Sequence, residues 1–330
     1  EPYAQEVVAS LPPFQPGPPV AGVIRLWGHG SFSQPFMRLL VARWVRDFRR
    51  FQPGITIVED TYGTSSAIPA LALGVGDLSI LGEEILPEAV DTFERVKGYP
   101  PFGVPIATGS VDVRNFDYAQ MFFVHRDNPI SGLTLTQLDA IFGVECRRGA
   151  PHVIRDWGQL GLAGDWAGRA ITPYGWKTDD SFGIYLEETL LSGSHRWNDA
   201  LREFVHVRRP DGTIYDHGQQ ILDALAHDRY GIAVSNIRYA GPDVKALTVA
   251  EREGAPYVAA TARSLIDRTY PLARLIPAYV DRKPGQPIDP KVKEFLRYLL
   301  SREGQQAIVD DGRYLPLRPA SVANALRQLE

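Results

Sequence analysis

Ala170-Ile171-Thr172-Pro173-Tyr174-Gly175-Trp176-Lys177-Thr178-Asp179-Asp180-Ser181-Phe182-Gly183 is the stretch on which the fold turns. An apolar run ends at Trp176, a polar loop follows, and a helix-like run extends from Ile184 to Leu191. This pattern is a strand–loop–helix junction, where unpaired backbone N–H groups face outward and ligands are often held. Gly28–Phe32 and Gly63–Ser66 have the same character.

Upstream, the alternation of periods is regular. Val23–Trp27 is a short strand. Phe36, Leu40, Trp44, Phe48 and Phe51 recur at helical spacing and mark one buried stripe, with Arg38, Arg43, Arg46, Arg49 and Arg50 off it, as a solvated face or, second, an anion patch. Ile55–Val58 is β-branched and extended. A second helix is expected through Leu73, and Leu78–Leu81 is a third strand. This β-loop-α-β-loop-α-β order predicts a mostly parallel sheet with ligands at the strand-to-helix edge. Downstream, Tyr118–His125 and Tyr270–Val280 read as extended. Thr134 with Gln137 forms a capping box before Leu138, Ile141 and Phe142. Asp216 or His217 is placed to cap a helix carrying Ile221, Leu222 and Leu225. Asp289-Pro290 opens a helix whose buried face is Val292, Phe295, Leu296, Leu299 and Leu300. Trp157 and Trp166 are expected to anchor the loop-rich stretch 147–169.

The chain has 330 residues, 44% hydrophobic and 22% charged, with 35 basic and 39 acidic side chains. These values fit an ordered globular chain of about two domains. No basic run suggests a nucleic-acid partner, and no apolar stretch approaches the ~18 residues that span a bilayer. Cys146 is the single cysteine, so no internal disulfide is possible. Residues 1–19, with Pro12-Pro13, Pro16 and Pro18-Pro19, read as a proline-rich, extended N-terminal arm. The start at Glu1 is compatible with a removed signal peptide or a trimmed chain.

The sequence lacks the familiar catalytic signatures. It has no HExxH or CxxC motif, no Walker loop before Lys177-Thr178, and no G-x-S-x-G elbow. Ser181 as a nucleophile would require a histidine base that no sequence feature places beside it. No catalytic residue, cofactor or metal is expected.

Several runs, taken in order, resemble the phosphate-binding proteins of bacterial ABC transporters. Val124–Leu135 resembles V-x-x-D-N-P-I-x-x-L-T-L, and Trp157–Gly161 with Trp166–Arg169 resembles W-x-x-L-G and W-x-G-R. Tyr270–Arg274 and Lys283–Gly285 resemble Y-P-L-x-R and K-P-G. Phe295–Gln305 and Tyr314–Leu317 resemble the closing F-L-x(7)-G-Q and Y-L-P-L. The resemblance implies an α/β, two-lobed periplasmic binding protein (type 2), each lobe a mostly parallel sheet flanked by helices, with a ligand cleft between lobes. Lobe 1 would comprise 20–117 and 270–330, and lobe 2 would comprise 118–269. It further implies an exported, periplasmic or extracellular, monomeric solute-binding protein that serves a membrane ABC permease or sensor.

The resemblance also implies ligand-binding positions. Ser31 and Phe32 match the hydroxyl-plus-aromatic pair of the first loop, and Thr64 with Ser65 matches the second. After the third strand, Gly82 stands where the pattern has an aspartate, and Glu83 is placed to substitute for it. His29 is a departure that reads as a ligand donor, a rim residue or an ordinary loop residue. The third loop departs most from Y-G-R-x-x-G-S-G-T: Trp176 replaces the arginine, while Asp180, Ser181 and Phe182 replace S-G-T. A carboxylate ~4 Å from a phosphate charge repels it by roughly 4 kcal/mol at an effective dielectric near 20. A helix terminus offsets only ~0.3–2 kcal/mol of this. Phosphate or a related small anion is therefore one expected ligand. An amine-bearing or aromatic small molecule, framed by Trp176, Phe32 and Phe182 with Asp179, Asp180 and Glu83, is another. A ligand-poor sensory or docking module is a third.

Overall fold

In a computed structural model, residues 2–30, 36–113 and 117–330 are described. The chain divides into two compact units. Unit 1 comprises Glu1–Asp117, Leu265–Asp267 and Arg274–Glu330, and unit 2 comprises Tyr118–Ser264 and Arg268–Ala273. No helix among the described residues is long and apolar enough to cross a membrane.

Unit 1 begins with α1 (Pro2–Ala9), β1 (Gly22–Gly28), α2 (Phe36–Phe48), β2 (Ile55–Asp60), α3 (Ala67–Ala72), β3 (Leu78–Ile80), α4 (Pro87–Lys97) and β4 (Phe102–Thr108). Unit 2 follows with β5 (Met121–His125), β6 (Gly132–Thr134), α5 (Leu135–Phe142), β7 (Thr172–Trp176), α6 (Ser181–Thr189), β8 (Arg202–Phe204), β9 (Val207–Arg208), β10 (Ile214–Tyr215), α7 (His217–Ala226), β11 (Gly231–Ser235), β12 (Val244–Ala246) and β13 (Thr248–Ala250). Then come α8 (Ala262–Ile266), and back in unit 1 β14 (Leu275–Val280), α9 (Pro290–Leu299), α10 (Arg302–Asp311) and α11 (Pro319–Gln328).

The sheet of unit 1 has the order β2-β1-β3-β14-β4. β1 lies parallel to both β2 and β3, so the loops that leave these three strands emerge at one edge. β14 runs antiparallel to β3 and β4. The sheet of unit 2 has the order β12-β5-β11-β7-β8, with β7 parallel to β11 and β8 and the other pairs antiparallel. β6 pairs with β13 and β9 with β10 in two small ribbons.

The helical stripe read from the sequence builds the core of unit 1. Leu40, Trp44 and Phe48 are buried, and Trp44 Nε1 donates to the Gly304 carbonyl at 2.8 Å, which ties α2 to α10. Asp289 caps α9 with Pro290 in its first turn, and Val292, Phe295, Leu296 and Leu299 face the same core. In unit 2, the Thr134–Gln137 capping box forms. Trp157 and Trp166 pack edge to face at 6.0 Å.

The N-terminal segment differs from the extended arm expected of its prolines. Residues 2–9 form α1, with Ala4 and Val7 packed against Ile266. Leu11 and Phe14 enter the unit 1 core, and Phe14 meets the rings of Phe51 and Tyr298 edge to face. An eight-residue helix is marginal in isolation, so tertiary packing rather than local propensity holds it. Residues 270–274, read as the start of a strand, are turn and coil; the strand begins at Leu275.

Arg274 closes unit 1 and is 1% exposed. Its guanidinium donates to Glu84 through Nε at 3.0 Å and Nη2 at 2.6 Å, and lies 3.7 Å from Asp117. Glu84 also accepts from the Leu275 N–H at 3.1 Å. Burial pushes the Asp117 carboxyl well above its usual range, against the opposing pull of Arg274. Removing the guanidinium breaks its charge-assisted hydrogen bonds to Glu84, which costs about 1.5–3 kcal/mol. Arg274→Ala is therefore expected to lower the urea-unfolding free energy by that amount. A loss under about 1 kcal/mol would contradict the role given to Arg274.

Candidate functional site

The two units present separate loop clusters, and each is built by its own sheet. In unit 1 the cluster lies where β1, β2 and β3 end. Gly28 has φ +119°, and a Cβ there would meet the Ile80 carbonyl oxygen at 2.1 Å, so only glycine lets β1 lie this close to β3. The Gly63 N–H donates to the Gly28 carbonyl at 2.9 Å, and the His29 N–H to the Ile80 carbonyl at 2.7 Å. These bonds bring the three loops together.

His29 is the residue they share. Its Nδ1 lies 3.2 Å from Thr64 Oγ1 and its Nε2 lies 3.2 Å from Tyr314 Oη. The Gly82 N–H donates to Thr64 Oγ1 at 3.0 Å. Burial lowers the His29 pKa to about 4, so the imidazole is neutral at neutral pH. It therefore serves as a hydrogen-bonding wedge rather than a cation. The wedge also explains Gly82: a Cβ at this position would lie 2.3 Å from His29 Nδ1. The imidazole fills the space that a longer side chain at 82 would need.

Of the residues singled out for this edge, Thr64 is held in the network and Ser65 is exposed beside it. Glu83 is half-buried. Together with Ile68, Leu81 and Leu86, all three line a largely apolar cavity of about 350 Å³. Ser31 and Phe32 lie outside the described residues. Glu84, which the sequence did not single out, lines the same cavity and is fixed by Arg274.

The second cluster belongs to unit 2. Trp176 is 2% exposed, and its Nε1 donates to Gln120 Oε1 at 2.5 Å. Its ring packs on Phe182 at 4.9 Å and on His217 at 4.6 Å. The side chain that stands in the arginine's place is thus a packed core element. Asp180 caps α6: Oδ1 accepts from the Gly183 N–H at 3.0 Å. Burial raises the Asp180 pKa, while the Gly183 and Phe182 amides oppose the rise. The amides at the start of α6 are thereby occupied by the chain's own carboxylate. Ser181 follows as the first helical residue. Lys177, the nearby cation in sequence, is exposed and held by Asp179 at 2.6 Å.

Two α/β units of this strand order define a type 2 periplasmic-binding fold. No family model matches the chain. The phosphate-binding protein PstS of Pseudomonas aeruginosa is 32% identical over 322 residues, which is 97% of this chain and 91% of that protein. Protein SphX of Synechococcus elongatus is 23% identical over 286 residues, 86% of this chain and 75% of its own. Among solved structures, PstS from Borrelia burgdorferi matches with a TM-score of 0.57 at 14% identity, covering 90% of this chain and 99% of that one. An ABC-type phosphate transport receptor from Vibrio cholerae matches with a TM-score of 0.53 at 17% identity, covering 88% and 99%. The chain belongs to the PstS phosphate-binding protein family.

Two outcomes follow from the wedge. Gly82→Ala is expected to lose about 1–3 kcal/mol by overpacking, and to lose almost nothing in a His29→Ala background. Equal losses in both backgrounds would show that the two residues do not meet. For pH, the folded pKa of His29 lies below its ordinary 6.5, so the native state binds fewer protons than the unfolded chain between these values. Protonation then favours unfolding: His29 disfavours the fold progressively as pH falls from 6.5 to about 4. The melting temperature should decline more shallowly across that window in His29→Gln than in the wild type, and identical slopes would contradict the assignment.

Proposed function

We propose that this chain is a non-enzymatic solute-binding protein, exported and monomeric, that delivers a small ligand to a membrane ABC permease or sensor. The observation that carries this reading is kinship at 32% identity across nearly the whole chain. The hydroxyls of Thr64 and Ser65 stand at the edge where three parallel strands end, as the ligand loops of the family do.

Phosphate or a related small anion is the first candidate ligand. A buried anion must be matched by donors, because its desolvation is otherwise too costly. The Thr64 and Ser65 hydroxyls of unit 1 are candidate donors, but the start of α6 in unit 2 is held by Asp180. That occupancy supports a second reading, in which the ligand carries an amine or an aromatic group. Trp176 is buried in unit 2 and does not frame it, while Phe182, packed with Trp176 and Tyr118, is half-buried. The cavity beside Thr64, with Glu83 and Glu88 among its lining, has the apolar walls and carboxylates that such a group needs.

Titration calorimetry with inorganic phosphate separates the two readings. The first predicts saturable heat and a melting shift equivalent to about 2.7 kcal/mol at a hundredfold excess over the dissociation constant. Neither heat nor shift at millimolar phosphate would remove the anion reading and leave the second.

A further inference from the structure

Unit 2 carries a cluster that the solute-binding reading does not use. His206 follows β8 and β9 begins just after it, while Asp216 and His217 open α7. One donor atom from each of these three side chains lies within 4.8 Å of the other two, the single such group found among the described residues. His206 Nδ1 lies 4.0 Å from Asp216 Oδ2. On the other side, His217 Nδ1 lies 3.9 Å from Asp180 Oδ2.

The carboxylates are oriented by their caps. Asp216 Oδ1 accepts from the Gly218 N–H at 2.9 Å, and Asp180 Oδ1 accepts from the Gly183 N–H at 3.0 Å. In each case one oxygen is fixed by a helix N-terminus and the other is turned toward an imidazole. Backbone amides that fix a carboxylate in this way commonly orient metal ligands. His217 is buried against Trp176 and Phe182, which fixes its ring. The His217 backbone N–H donates to His206 Nδ1 at 3.3 Å, and the two imidazole centroids lie 4.0 Å apart.

These distances are too long for hydrogen bonds between the side chains and somewhat longer than those between ligands of one small ion. Ligands at 2.0–2.2 Å around a tetrahedral ion stand about 3.3 Å from one another. The donors of His206, Asp216 and His217 need to close by roughly 1 Å, and His206, whose side chain is 46% exposed, has room to rotate. We infer that His206, Asp216 and His217 form a binding site for a borderline divalent transition metal, with zinc the expected ion and a solvent or ligand oxygen completing its shell. Two imidazoles and one carboxylate favour zinc, nickel or copper over magnesium or calcium, which prefer sets of oxygen donors. This inference concerns unit 2 alone and does not depend on the identity of the transported solute.

The test uses the untagged full chain, stripped with EDTA and held in a non-coordinating buffer without phosphate. Calorimetry with zinc chloride should give one ion per chain and a raised melting temperature, with millimolar magnesium or calcium unable to compete. Cobalt(II) should give intense visible bands that zinc abolishes. His206→Ala and His217→Ala should each weaken zinc binding at least tenfold. His206 is exposed, so its variant tests the site even if His217→Ala fails to fold. Absence of a saturable equivalent of zinc would overturn the inference. So would binding that survives His206→Ala unchanged or yields equally to magnesium.

Discussion

The carboxylate of Asp180 at the start of α6 is the constraint around which unit 2 is arranged. A helix N-terminus concentrates amide donors and a partial positive charge, and it will accept whichever anion reaches it first. Here that anion is covalently part of the chain, one residue before the helix. Because the Gly183 and Phe182 amides are satisfied internally, α6 needs no ligand to complete it. The rest of the junction conforms to this choice. With an anion already resident, a guanidinium at 176 has no external charge to meet, and the position is filled by an indole that packs on Phe182 and His217 and bonds Gln120. Phe182 in turn stacks on Tyr118 at 5.1 Å. The start of α6 is thus capped by the chain's own carboxylate and backed by aromatic rings.

A parallel substitution occurs in unit 1. The neutral imidazole of His29 sits among Thr64, Gly82 and Tyr314 and binds the three loops to one another. In both units, then, a side chain of the protein occupies space or donors at a strand-to-helix edge. The difference is in what remains. Unit 1 keeps hydroxyls and an apolar cavity beside them. Unit 2 keeps paired imidazoles and carboxylates that suit a cation.

Much of this architecture was legible in the sequence because it rests on local rules. The helical stripe of α2, the Thr134–Gln137 capping box and the Asp-Pro start of α9 are fixed by residues a few positions apart. The strand–loop–helix junctions announced both sheets and their loop edges. The elements that escaped depend on residues that meet only after folding. Arg274 read as a motif arginine, and its partner Glu84 was not singled out until β14 pairs with β3. Gly82 read as a missing aspartate, because nothing local reveals that the His29 ring occupies the place of its side chain. His206, Asp216 and His217 were separated by the β9–β10 ribbon, which returns the chain to the same spot. Proline-rich composition hid α1, whose stability comes from Ile266 rather than from its own eight residues.

The claim on which the account rests is that Asp180 is the resident anion of α6, and phosphate affinity measured by calorimetry in Asp180→Ser tests it most directly. Serine keeps a capping hydroxyl, so the helix start survives while the charge is removed. Phosphate is expected to bind at least tenfold more tightly to Asp180→Ser than to the wild type, within the roughly 4 kcal/mol that one such charge pair can oppose. Unchanged or weaker binding in the variant would contradict it.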